Sequence, residues 1–187
     1  MTGKKSDISG TGPLIWMDME MSGLDPEKDV ILEIATIITD KDLIVLEEGP
    51  NLVIHHDQSF FDTMDPWCKE HHTKSGLWEK VVSSTTSLVA AEEETLKFIK
   101  NHVDAKKSPL CGNSIWQDRR FIRRYMKKLD AHLHYRLVDV STVKELAGRW
   151  YDASVMAFEK SKDLHRALDD VRESIAELRF YREKIFK

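Results

Sequence analysis

The sequence holds little that would cross-link it, embed it in a bilayer or bind it along a polyanion. It has two cysteines, Cys68 and Cys111, far apart in the chain. So few thiols build no disulfide framework, and both are expected to stay reduced in a reducing compartment, with cytoplasm as the expected location. Cys68 is followed by His71 and His72, but one sulfur without a second ligand pair falls short of a structural zinc site. No apolar run approaches the ~20 residues that span a bilayer, so no membrane partner is expected. Met1 to Gly12 are polar and lack both an apolar core and an Arg-rich amphipathic pattern. They are expected to form a disordered tail ahead of a single domain over 13–187. Basic surplus is missing too: 28 Lys and Arg stand against 32 Asp and Glu, for a net charge of −4. Affinity for a long nucleic acid grows with the number of phosphates neutralised, so a nucleic-acid ligand here would be short or gripped at one end.

The sequence does have an ordinary globular balance, 41% hydrophobic and 32% charged residues, and a length suited to one domain. Leu14-Ile15-Trp16 opens a buried strand. Val30 to Thr39 reads as a second and Leu43 to Leu46 as a third, with Asn51 to Ile54 extending it or adding another. Asp65-Pro66 caps and starts a helix that stops near Gly76. A helix follows from Ser87, then a short strand at Ser108 to Cys111 and a helix from Gln117 to Leu129 with its arginines outward. A strand at Arg136 to Val140 precedes a helix capped by Ser141, and a last helix carries the seam Leu164, Leu168, Val171, Ile175 and Leu178. Strands come first and alternate with helices afterwards, without internal repeat or linker: one α/β domain.

Chemistry enters where acids interrupt this pattern. Asp18 and Glu20 are two apart on the first strand, so their side chains project from one face. Adjacent acids on a buried strand repel, and a hard cation such as Mg²⁺ or Mn²⁺ between them would reverse the sign. A strand that simply ends in solvent would explain the pair equally well. Asp118 opens a helix, where an acid also serves the dipole and the free N–H groups. His165, Asp169 and Asp170 open the last helix. His165 and Asp169 share a face, while His165 and Asp170 are about 140° apart on an ideal helix, and spacing leaves open which aspartate matters.

The ordered set Asp-x-Glu, Asp, His-x4-Asp resembles the DEDDh branch of the RNase H-like 3′→5′ exonucleases, and within it the oligoribonuclease family. The likeness runs from about Leu14 to Lys187. It is carried by Asp18-Met19-Glu20-Met21-Ser22-Gly23-Leu24, Trp67 to His72, Cys111-Gly112-Asn113-Ser114, Gln117-Asp118-Arg119-Arg120-Phe121, His134-Tyr135-Arg136, Asp139-Val140-Ser141-Thr142 and His165 to Asp170. Met19 and Ser22 stand where Leu and Thr are commoner. The resemblance implies an RNase H-like mixed β-sheet flanked by helices, and a homodimeric exoribonuclease that trims very short RNAs to 5′-mononucleotides. It also implies two divalent ions, Mg²⁺ or Mn²⁺. Asp18, Glu20 and Asp170 would hold one, Asp18 and Asp118 the other, and His165 would be the general base; it is the resemblance that selects Asp170 over Asp169. Leu24 and Trp67 would meet the bases, and His72 would hold the 3′ nucleotide or the loop beside it. Ser114, Tyr135, Arg136, Ser141 and Thr142 would hold the 5′ phosphate, with Tyr135 and Arg136 reaching into the partner subunit. A DNA-proofreading exonuclease would lack a use for that phosphate cap. A silent RNA-end-binding module would lack a use for the full set of acids and histidine.

Overall fold

The computed structural model describes residues 12–152, 155, 158 and 166–186. Strands β1 (Leu14–Met21), β2 (Ile31–Thr39) and β3 (Val45–Val53) form an antiparallel meander, and β4 (Leu110–Gly112) and β5 (Leu137–Asp139) extend it in parallel with β1. The five-stranded sheet has the order β3-β2-β1-β4-β5. Seven helices accompany it among the described residues: α1 (Pro66–Lys74), α2 (Leu77–Ser83), α3 (Leu88–Lys100), α4 (Ile115–Tyr125), α5 (Lys127–His132), α6 (Val140–Trp150) and α7 (Ala167–Ile185). The expected α/β architecture, a mixed sheet between helices, is the one found.

The period of two along β1 sorts its side chains between two helical layers. Ile15, Met17 and Met19 join a core with residues of α3, α4 and α5, including Ile99, Phe121 and Leu129. Trp16 faces the other way, into a core with α6 and α7 that includes Ala147, Val171 and Tyr181. Asp18 and Glu20 continue the Trp16 row, so β1 aims both acids toward α7. β2, buried throughout, takes part in both cores. Gly112 permits the close approach of β4 to β1, because a Cβ there would stand 2.8 Å from Met17 O.

Several local expectations change once tertiary contacts are present. β3 is one continuous strand, Val45–Val53, that joins the two expected stretches but leaves out Leu43, Ile44 and Ile54. The helix expected over 117–129 begins at Ile115 and breaks at Met126, where φ is −123° and ψ 68°. Glu92 of α3 causes the second start, since its Oε1 accepts from the N–H groups of Lys128 (2.6 Å) and Leu129 (3.0 Å). Arg119 turns inward, 6% exposed, to meet Asp130 across that break at 2.8 Å. Ser141 is not the cap of α6. Asp139 is, accepting from Ser141 N–H at 3.0 Å. The short helix α2 and the 3-10 turn Gln58–Thr63 carried no readable period. The expected tail over 1–12, apart from Gly12, and Leu164 lie outside the described residues.

One buried charge in β2 went unread. Glu33, fully buried, accepts from Arg166 Nε (2.9 Å) and Nη2 (2.5 Å) and from the Ala167 N–H (3.3 Å). A strand side chain thus caps the first residue of α7 and fixes where that helix begins. Removing one partner of such a pair leaves a buried charge uncompensated. Glu33→Ala is expected to cost about 3 kcal/mol in urea unfolding, whereas Glu33→Leu combined with Arg166→Met recovers most of it. Equal losses in the single and double variants would show that the pair does not act as a unit.

Candidate active site

Three elements deliver carboxylates to one place. β1 supplies Asp18 and Glu20, the first turn of α7 supplies Asp170, and the first turn of α4 supplies Asp118. One oxygen each of Asp18, Glu20 and Asp170 lie within 4.8 Å of one another. Asp169, by contrast, points to solvent and pairs with Arg172 at 2.9 Å, so the two neighbouring aspartates separate in space as the helical turn requires. Asp118 stands outside this group of three but close to Asp18, and its Oδ1 is buried without a hydrogen-bond partner among the described residues.

The electrostatics follow from the crowding. Burial, then Asp118, Glu20 and Asp170, hold the Asp18 carboxyl well above the usual carboxylate range. Glu20 is pushed up to about 7 by burial and by Asp170 and Glu33, with Arg166 opposing. Asp118 is pushed up to about 8, chiefly by burial, although backbone N–H groups at Asp118 and Met19 favour its charge. Two like charges ~5 Å apart repel by about 3 kcal/mol at an effective dielectric near 20. Hard oxygen donors in this number, with a buried oxygen left over on Asp118, fit a small divalent cation.

Around the acids the loop after β1 is tied down. His72, 2% exposed, donates from Nε2 to Met21 O at 2.8 Å, and its Nδ1 lies 3.9 Å from Glu20 Oε2. It is therefore a buried strut behind the strand end. Asp65 N–H donates to Ser22 O at 3.2 Å, so α1 begins against the same loop. Leu24 and Trp67 both stand exposed, 70% and 58%, and Trp67 stacks on His71 with centroids 3.6 Å apart.

A second concavity, about 270 Å³, is lined by Ser114, Trp116, Asp139, Ser141, Thr142, Glu145 and Leu146. Ser114 holds a left-handed backbone (φ 47°), and its N–H donates to Asp139 Oδ1 and Ser141 Oγ, both at 3.0 Å. Ser141 Oγ donates in turn to Asn113 Oδ1, whose amide nitrogen donates to Ser174 Oγ and to the buried Glu177. The structure thus gathers Ser114, Ser141 and Thr142. Tyr135 and Arg136 lie elsewhere, just before β5, at the end of the parallel strands away from the acids. Counting register from Asp18, that is roughly 15 Å along the strand direction. Tyr135 is 69% exposed. His165 lies outside the described residues, next to the anchored Arg166. Sequence reading missed Glu33, Gln117 and Asn113. A lone acid inside the otherwise uncharged run ILEIATIIT was the available signal for Glu33.

Comparison with known proteins places this arrangement. A family model described as exonuclease, of the RNase T type, matches residues 15–178. An oligoribonuclease of Aeromonas hydrophila is 56% identical over 93% of this chain and 96% of its own length. One from Bordetella pertussis is 54% identical over the same shares. Among solved structures, E. coli exonuclease I in complex with a 5cy-dT13 oligonucleotide superposes with a TM-score of 0.71 at 14% identity, which speaks for the fold. That match covers 94% of this chain but 41% of the larger nuclease.

A carboxylate whose folded pKa lies above its unfolded one weakens the fold once ionised. Its stability contribution is intact below about pH 4 and is lost as pH rises through the folded value. In chelator, Glu20→Gln is therefore expected to match the parent at pH 4 and exceed it by about 3 kcal/mol at pH 8. Mn²⁺ should raise the parent's melting temperature by an increment that grows over the same interval, as cation and proton compete. A Glu20→Gln variant no more stable than the parent at pH 8 would contradict the crowding.

Proposed function

We propose a reaction from one premise: this chain belongs to the exonuclease family, among the oligoribonucleases. It is a nuclease that hydrolyses phosphodiester bonds. Its proposed reaction is 3′→5′ removal of 5′-mononucleotides from very short RNA, with dinucleotides favoured. The observation that carries this reading is the convergence of Asp18, Glu20 and Asp170 within 4.8 Å, with buried Asp118 alongside.

Two divalent cations, Mg²⁺ or Mn²⁺, held by Asp18, Glu20 and Asp170 and by Asp18 with Asp118, would neutralise the phosphate and supply hydroxide near neutral pH. The protein's own groups do the rest. His165 takes a proton from the attacking water on its imidazole, the water oxygen forms the new bond to phosphorus as the P–O3′ bond breaks, and the leaving 3′ oxygen takes a proton from solvent. Glu33, by holding Arg166, sets the backbone next to that histidine. His72 keeps the end of β1, and with it Glu20, in place. Leu24 parts the bases and Trp67 offers a ring face, a contact that any base can satisfy.

Ser114, Ser141 and Thr142 receive the 5′ phosphate in the second concavity. No Lys or Arg lines that concavity among the described residues, while Asp139 and Glu145 do. A phosphate dianion there needs a cation from outside. Arg136 with Tyr135, which precede β5 at the end of the parallel strands away from the acids, supplies one to a second copy, so the working unit is a homodimer. A net-acidic protein suits a substrate with one or two phosphates. No described helix is long and apolar enough to cross a membrane. Cysteines that are both free and buried support a cytoplasmic setting.

Labelled RNAs of two, five and twenty nucleotides test the substrate, with Mn²⁺ and with chelator. The shortest is expected to be consumed fastest, and chelator should stop the reaction. Length-independent digestion of DNA would overturn the reading in favour of a proofreading-type enzyme, and binding without cleavage in favour of an end-binding module. Asp18→Asn should lower kcat by about a thousandfold or more, a loss of ~4 kcal/mol of transition-state stabilisation. Tyr135→Ala should be weak on dinucleotides by itself. Mixed with Asp18→Asn under subunit exchange, it should recover activity in heterodimers, and no recovery would refute the shared site.

A further inference from the structure

The loop from Ser22 to Val30 is built more firmly than its exposed position requires. Asp29 frames it from within: its carboxylate accepts from Ser22 Oγ (3.2 Å) and Asp25 N–H (2.8 Å) and fills the space a Cβ at Gly23 would need. Ser22 and Val30 close its base and Asp65 N–H holds Ser22 O, while the bracing of its outer part comes from α4. Tyr125 Oη donates to Asp29 O at 2.7 Å. Gln117 Nε2 donates to Leu24 O at 2.6 Å. Arg120 Nη1 donates to the same carbonyl at 3.3 Å and to Gln117 Oε1 at 2.8 Å. Gln117 is 8% exposed although its partner residue is 70% exposed.

An apolar side chain at a loop tip has no packing to hold it, so its backbone is the only handle. Here both acceptor sites of the Leu24 carbonyl are taken by donors from one turn of α4, and that turn also carries Asp118. We propose that Gln117 and Arg120 are positioning residues that lock Leu24 to Asp118, fixing how far the bases are parted from the phosphate being cut. This rests on Leu24 meeting the substrate bases, as proposed above. Without the brace the loop would have to order itself at each binding event, which weakens affinity for the shortest substrates, where no further nucleotide contributes.

The test is a double-mutant cycle on dinucleotide hydrolysis with Gln117→Leu and Leu24→Ala, followed by kcat and KM separately. Gln117→Leu is expected to raise KM about five- to tenfold, the ratio for one or two lost hydrogen bonds, with the loss confined to KM. In the Leu24→Ala background the same substitution should add less than twofold. The Mn²⁺ midpoint for thermal stabilisation should stay at the parent value, as a displaced Asp118 would not allow. The brace is overturned if Gln117→Leu leaves KM within twofold, if its penalty persists in full without the Leu24 side chain, or if the Mn²⁺ midpoint moves. A Leu24→Ala variant with parental KM would sink the wedge reading and the brace together. A costly Leu24→Ala beside a silent Gln117→Leu sinks the brace alone. Should Gln117→Leu fail to fold, Arg120→Met, at an exposed position, is judged by the same criteria at about two- to fivefold.

Discussion

Mutual repulsion among crowded, half-buried acids is the constraint to which much of this structure answers. Carboxylates do not gather at 4.8 Å for the sake of the fold. Burial holds Asp18, Glu20 and Asp118 well above their ordinary range, so the assembly must be forced from outside. Two devices supply that force. Alternation along β1 keeps Asp18 and Glu20 in the same row as Trp16, and flipping them away would expose the buried row. Glu33 caps α7 at Ala167, so the helix cannot slide to carry Asp170 away from the sheet. A site crowded in this manner is compatible with a divalent cation, in keeping with the tendency of perturbed groups to cluster at functional sites.

What could be read from the sequence and what could not divide along the same line. The pair Asp18 and Glu20 was legible because a strand's period is local. The helices α3 and α7 were legible because their apolar rows repeat. The break between α4 and α5 was not, since nothing between Arg123 and Lys128 forbids a continuous helix; Glu92, from another helix, imposes it. Arg119 read as a solvated charge because its partner Asp130 lies beyond that break. Glu33 hid for a related reason, its partner being Arg166 far along the chain. The choice between Asp169 and Asp170 was open to spacing alone; in the structure the start of α7 puts Asp170 beside Asp18 and Glu20 and Asp169 beside Arg172.

His72 shows how a polar residue on a helix can become part of the framework. Two histidines in succession on a helix cannot share a face, so the pair must divide between two environments. In the structure His71 caps Trp67 with its ring outside, while His72 is buried against Met21 O. The cost of burying an imidazole is met by that carbonyl, and the result is a rigid link between α1 and the end of the strand that bears Glu20.

The parallel half of the sheet also bears on assembly. β1, β4 and β5 run in the same direction, and the acids and the Ser114–Ser141 concavity both lie at their C-terminal ends, the usual place for ligands in such sheets. Tyr135 and Arg136 precede β5 and so belong to the opposite end by topology. The concavity that gathers hydroxyls around Asp139 and Glu145 is, within one chain, a poor place for a phosphate. On the proposed homodimer, a surplus of hydroxyl donors at one end and an exposed Tyr–Arg pair at the other would complement each other between two copies, so the same strand direction that gathers the acids within a chain would leave the phosphate site to be completed by a second one.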